Sequence, residues 1–184
     1  MQIKDFLVEQ WLNAHEDNAK YNTAETCVDS VSLNQLFELF GNKEEILNSI
    51  VNTRLTYGHI YGTPKLKQNI ASMYENMSEK NIITTNGAIG ANFLSLYSIV
   101  EPEDEVISVF PTYQQMYSIP ESFGAEVKLL KLKPENKFLP DLDELKSLVT
   151  KNTKIICINN PNNPTGSLME ENMLKEIVEI AKSV

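Results

Sequence analysis

The sequence predicts an α/β domain, a mainly parallel sheet with helices on both faces, preceded by a short helical N-terminal arm. From Asn81 onward, short apolar runs alternate with segments of helical period, and strands separated by helices require crossover connections between parallel neighbours. Before Asn81 the chain shows only helical stripes and a loop punctuated by glycine and proline. The composition is that of an ordinary globular protein: 184 residues, 42% hydrophobic and 22% charged, enough for one core.

Taken in order, Ile3 to Ala14 carries Phe6, Leu7, Val8, Trp11 and Leu12 close to one helical stripe. After a polar stretch, Ser32 is placed to cap a helix through Leu33, Leu36, Phe37 and Phe40 that Gly41 closes, and Glu44 to Asn52 reads as a further short helix. Tyr57 to Pro64 is a loop, and Pro64 stands where a helix running past Leu66 and Ile70 can begin. Strands are expected at Asn81 to Thr85, Glu105 to Phe110, Ala125 to Leu132 and Lys154 to Ile158. Helices are expected at Ile89 to Val100, Tyr113 to Phe123, Leu142 to Val149 and about Leu168 to Lys182. Asp141 is the expected N-cap of the third of these, and Ser167-Leu168-Met169-Glu170 fits a capping box for the last. The alternation calls for another strand after Lys182, so the chain is expected to stop in mid-fold. Residues 1–52 are expected to form the arm and part of a small domain, and 53–184 the first half of a large domain.

Twenty-five acidic against sixteen basic residues leave a formal charge of −9, which repels nucleic acid and anionic membranes over most of the surface. An anionic ligand then needs backbone N–H groups and a helix terminus. Cys27 and Cys157 lie far apart among apolar neighbours and are expected to be buried thiols in a reducing compartment. The first ten residues lack the pattern of a secretory signal, and nothing approaches a membrane span, so a cytoplasmic location is the default expectation.

Open parallel sheets bind ligands at the carboxyl ends of their strands, which directs attention to three turns. Thr84-Thr85-Asn86-Gly87-Ala88-Ile89-Gly90-Ala91 opens a helix with small residues, a suitable phosphate cradle, although small residues also suit simple packing. It lacks the Gly-x-Gly-x-x-Gly of a dinucleotide turn. Phe110-Pro111-Thr112-Tyr113 offers a tyrosine ring to a planar ligand, or a half-buried structural tyrosine. Asn159-Asn160-Pro161-Asn162-Asn163-Pro164-Thr165-Gly166 holds several amides between prolines, far more specification than a turn needs.

This third turn resembles the signature of class I/II, fold-type I aminotransferases that depend on pyridoxal phosphate (PLP). The resemblance continues in order through Tyr57 with Gly62, Leu66 and Ile70, through Asn86-Gly87-Ala88, and through Pro111-Thr112-Tyr113, spanning residues 57 to 166. It implies the first part of a PLP-dependent transferase large domain. Gly87, Ala88 and Ile89 are then expected around the cofactor phosphate, Tyr113 against the pyridine ring, Asn163 on the ring's phenolic oxygen, and Tyr57 on the phosphate of a neighbouring subunit in a homodimer. Ile89 stands where many members carry a hydroxyl or amide, which limits its role to its backbone.

By the same resemblance, the aspartate that pairs with the pyridine nitrogen, the lysine joined to the cofactor and the arginine that clamps the substrate carboxylate belong to segments beyond these 184 residues. No catalytic residue is therefore assigned. Lys80, Lys131, Lys133, Lys151 and Lys154 flank strands or lie in polar turns. The implied reaction moves an amino group between an amino acid and a 2-oxo acid, and the chain alone is expected to be inactive. The alternatives are a non-catalytic fragment that binds PLP weakly, a half-protein that needs a separate C-terminal partner, or a nucleotide-binding module, which leaves the third turn unexplained. An interrupted sheet also leaves an open edge, for which self-association is the expected remedy.

Overall fold

A computed structural model describes residues 2–24 and 26–184. They fall into two compact units, one built from residues 2–24 together with 86–184, the other from residues 26–85. The expected boundary at 52/53 lies inside the second unit.

The first unit contains the sheet. Strands β1 (Glu105–Phe110), β2 (Glu126–Lys131) and β3 (Thr153–Cys157) are all parallel and ordered β2-β1-β3, so β1 is central. Helices α5 (Gly87–Ile99) and α6 (Gln115–Phe123) cover one face, and α7 (Leu142–Leu148) and α8 (Glu171–Ala181) the other. The strands dictate this by their period of two. Val106, Ile155 and Cys157 join Leu96, Val100 and Ile119 on the first face, whereas Ile107, Val109, Leu130 and Ile156 join Leu145, Ile177 and Ile180 on the second. Ile107, Leu130 and Leu145 are essentially inaccessible, and each such burial contributes about 1.5–3 kcal/mol relative to exposure. Helix α1 (Leu7–His15) belongs to the same unit. Asp141 caps α7 as expected, its Oδ1 accepting from the N–H groups of Asp143 and Glu144, which hold its carboxyl below the usual range.

The second unit contains α2 (Leu33–Phe40), α3 (Lys43–Val51) and α4 (Pro64–Ala71). Ser32 and Gln35 form a reciprocal capping box at α2, Gly41 closes that helix at φ +69°, and Pro64 opens α4 behind a Thr63 cap.

Three sequence expectations are corrected. Residues 82–85 form no strand: a strand requires a ladder, and the tie seen here is Thr84 N–H to the Tyr61 carbonyl at 3.3 Å. Ser167 does not cap α8, which begins only at Glu171. The Asn160 side chain takes both the N–H and the carbonyl of Met169, and the Ser167 hydroxyl donates to Phe138 O, so the segment is held before a helix can start. Finally, Cys157 is buried as expected, but Cys27 is exposed.

Candidate functional site

The connections of β1 and β3 leave the sheet toward opposite faces, β1 to α6 and β3 to α8. Adjacent strands whose connections diverge open a crevice at their carboxyl ends, where open parallel sheets take ligands. The turn Pro111-Thr112-Tyr113 follows β1 and Asn159–Gly166 follows β3, so both stand at this carboxyl edge.

Two buried amides tie the surrounding turns together. Asn162, 4% exposed, donates from Nδ2 to the Pro111 carbonyl at 3.1 Å and to Thr165 Oγ1 at 2.8 Å, joining the β3 turn to the β1 turn. Gln115, 3% exposed, donates from Nε2 to the Ile89 carbonyl at 2.8 Å and accepts from Asn92 Nδ2 at 3.2 Å, joining the first turns of α6 and α5. Together they place the turns bearing Asn163, Tyr113 and Ile89 in one network. The buried Asn162 Oδ1 and Thr112 Oγ1 at this edge have no hydrogen-bond partner among the described residues.

Asn163 is exposed, and its own N–H donates to Asn159 Oδ1 at 2.6 Å, which fixes the backbone from which its amide projects. Tyr113 precedes α6 rather than opening it, is half-buried, and meets the Phe6 ring at 5.1 Å between centroids with a 56° tilt. Burial, reinforced by the Glu9 carboxylate, pushes its phenol above the usual tyrosine range, so it stays a neutral ring at physiological pH.

Gly87 sits at φ +74°, a left-handed conformation that costs any residue with a Cβ, and it turns the chain into α5. Ala88 and Ile89 are exposed in the first turn of this 13-residue helix, where N–H groups lack intrahelical acceptors, and that turn carries no acidic side chain. An anion is therefore favoured there by the helix dipole without opposition from a carboxylate of the same turn. Tyr57 belongs to the second unit, fully exposed. Cys157 offers no nucleophile, because burial raises its thiol to about 11.

Sequence reasoning missed Gln114, Gln115 and Asn162. The signal for Asn162 was within the third turn, where attention fell on its exposed neighbour. Two adjacent glutamines at the mouth of a helix are a weaker cue, since glutamine is common on helix surfaces.

The family model for aminotransferase class I and II matches residues 38–184. The chain belongs to this family. Members of the class I and II aminotransferases depend on PLP. An aspartate aminotransferase of Pyrococcus horikoshii is 34% identical over 126 residues, covering 66% of this chain and 32% of that protein. Capreomycidine synthase of Streptomyces vinaceus is 26% identical over 175 residues, covering 94% of this chain and 44% of that protein. A solved PLP-dependent aminotransferase from Streptococcus suis aligns over all of this chain and 49% of its own, with 48% identity and a TM-score of 0.96. The chain thus spans a third to a half of these relatives. Among the described residues no helix is long and apolar enough to cross a membrane, and no cluster of candidate metal ligands occurs.

Proposed function

We propose that these residues seat pyridoxal phosphate, as part of an enzyme that transfers an amino group between an amino acid and a 2-oxo acid. The observation that supports this reading is the amide network at the carboxyl edge of the sheet, which ties together the turns that bear a helix start, an aromatic ring and an exposed amide. When bound, the cofactor supplies an electron sink and an amino-group carrier.

In this reading the N–H groups of the first turn of α5, over Gly87, Ala88 and Ile89, hold the phosphate, and Ile89, whose side chain is a hydrocarbon, acts only through its backbone while Gln115 fixes that backbone at the carbonyl. Tyr113 lays its neutral ring along the pyridine. Asn163 hydrogen-bonds the phenolic oxygen, orienting the ring about the axis that Tyr113 leaves free. Tyr57, solvent-exposed in its own chain, reaches the phosphate in a second subunit of a homodimer.

This reading assigns no lysine of the sheet unit to the cofactor, and several of them are engaged in ion pairs. Lys128 is paired with Glu105, Lys133 with Glu144, Lys146 with Asp143, Lys175 with Glu171 and Lys182 with Glu179. We infer that the group moving the substrate proton comes from residues outside these 184. The chain by itself then binds the cofactor non-covalently and does not transaminate, and the active unit is a longer chain or an assembly with a separate C-terminal partner.

Titration of the purified chain with PLP, followed by absorbance, tests the reading. Saturable binding that inorganic phosphate displaces and that Tyr113→Ala weakens is expected. Absence of saturable binding refutes the seat. A borohydride-reducible visible band, or turnover by the chain alone, refutes the assignment of the lysine elsewhere.

A further inference from the structure

The N-terminal arm is gripped at the edge of the crevice in a way that the cofactor seat does not require. Gln114, immediately after Tyr113, donates from Nε2 to the Asp5 carbonyl at 2.7 Å and accepts from the Leu7 N–H at 3.3 Å. One side chain thereby satisfies the backbone on both sides of Phe6, as a neighbouring strand would. Lys4 adds an exposed ion pair to Glu121 on α6 at 2.7 Å, too solvated to contribute much. The consequence of this two-sided grip is geometric: the residue between the gripped positions, Phe6, has its ring held against Tyr113 at 5.1 Å.

We propose that residues 4–7 are a latch, with Gln114 as its catch and Phe6 as a positioning residue for the Tyr113 ring. The inference rests on the reading of Tyr113 as the residue that stacks on the cofactor. Tyr113 has two soft torsions, and a ring left to rotate must be ordered each time a planar ligand binds. A tilted neighbour restricts that rotation before binding, while Tyr113 stays only half-buried and keeps surface for the ligand. Phe6 touches no ligand in this scheme and acts through Tyr113.

The 184-residue chain carries its own reporter, because Trp11, the single tryptophan, lies on α1 directly after the latch. Gln114→Ala, Phe6→Ala and Phe6→Tyr are compared in three measurements: acrylamide quenching of Trp11, the fluorine resonance of Tyr113 in fluorotyrosine-labelled chain (assigned by its loss in Tyr113→Phe), and the dissociation constant of PLP. Gln114→Ala is expected to raise Trp11 quenching and move the Tyr113 resonance toward that of free fluorotyrosine. Phe6→Ala is expected to move the resonance likewise and to weaken PLP roughly two- to twelvefold, the range of one aromatic pair. Phe6→Tyr, which keeps the ring, is expected to restore both. A Tyr113 resonance that stays put when the arm is released overturns the latch. Tighter PLP binding in Phe6→Ala overturns it too, by making Phe6 a plug in the ligand's place. If the parent chain does not bind PLP, the cofactor reading falls while the resonance and quenching still decide the latch.

Discussion

Asn162 offers the sharpest test of how the crevice is held together. Truncation to alanine removes two donated hydrogen bonds, to the Pro111 carbonyl and to Thr165 Oγ1, each with a net worth of about 0.5–1.5 kcal/mol. The two acceptors then differ. Thr165 Oγ1 keeps Ser167 Oγ at 2.9 Å, so it is not orphaned, whereas the Pro111 carbonyl loses the side-chain donor that joins the turns. Truncation also removes the buried, unpartnered Oδ1, which offsets part of the loss. The expected cost of Asn162→Ala is about 1–3 kcal/mol. Asn162→Asp keeps the shape but turns an oxygen toward two oxygens and places a carboxyl in a site that is 4% exposed, for which roughly 3–5 kcal/mol is the scale of an uncompensated buried charge. Burial raises the folded pKa of that carboxyl, so its penalty grows as pH rises from the unfolded carboxylate range toward the folded pKa. Urea unfolding followed by Trp11 fluorescence reads this out. With a slope of about 1–3 kcal/mol/M, a 2 kcal/mol loss shifts the midpoint by roughly 1 M. A midpoint for Asn162→Ala within error of the parent, or an aspartate variant no worse than alanine at neutral pH, would refute the assignment of a donor to this position.

The other predictions follow from single contacts. Gln115→Ala should cost about 1–3 kcal/mol in the same assay and weaken PLP binding, because the Ile89 carbonyl loses its donor and the first turn of α5 its tie to α6. Gly87→Ala should cost about 1–2 kcal/mol through its φ of +74° alone, since the added Cβ meets only Ile89 Cγ2 at 3.8 Å; equal stability to the parent would exclude that backbone conformation. Gly62→Ala places a Cβ 2.5 Å from Thr84 Oγ1 and 2.8 Å from Thr84 Cγ2, and Thr84→Ala should recover part of the loss by removing both atoms while the strain at φ +95° remains. Glu105 has its carboxyl lowered chiefly by the Lys128 ammonium at 2.7 Å and then by the Thr150 hydroxyl. Its contribution should be complete above the unfolded carboxylate range and vanish as pH falls through the lower folded value, so Glu105→Gln should flatten the acid limb of stability against pH.

The elements of the sheet unit were legible because their periods are unambiguous. Glu105 to Phe110 was read to the residue, and the helices containing Leu96, Leu145 and Ile177 were placed within a turn or so of their observed ends. What escaped was long-range. Residues 82–85 have the β-branched, apolar character of a strand, yet sequence cannot say whether a ladder partner is at hand, and here the backbone reaches Tyr61 instead. Ser167 fits a capping box, but Asn160, three residues after the end of β3, fixes Met169 and moves the helix start to Glu171. The same blindness hid Gln115 and Asn162, whose partners lie 26 and 51 residues away. Motifs expose residues that face a ligand, while the residues that hold those in place are chosen by the geometry of the folded chain.

The two ends of the sheet use different chemistry. At the amino end of β1, Glu105 meets Lys128, Thr150 and Thr153, a charged knot spanning all three strands. At the carboxyl ends of β1 and β3 the ties come from uncharged amides, Asn159, Asn160, Asn162, Gln114 and Gln115, while the charged pair Lys133–Glu144 stands beyond β2. In a chain of charge −9 this division has an electrostatic consequence for the proposed phosphate seat. A carboxylate used as a tie beside α5 would lie within a Debye length, about 8–10 Å, of a phosphate at its N-terminus and oppose it. An ammonium tie would compete with a ligand's own partners for fixed orientation. Amides supply both donors and acceptors with no net charge, so the crevice can be rigid while the helix dipole remains the field an anion meets first. On this reasoning Gln115→Glu should weaken phosphate and PLP binding more than Gln115→Ala does, even where its stability is no lower. Equal affinities in the two variants would show that the neutrality of the edge plays no part in ligand binding.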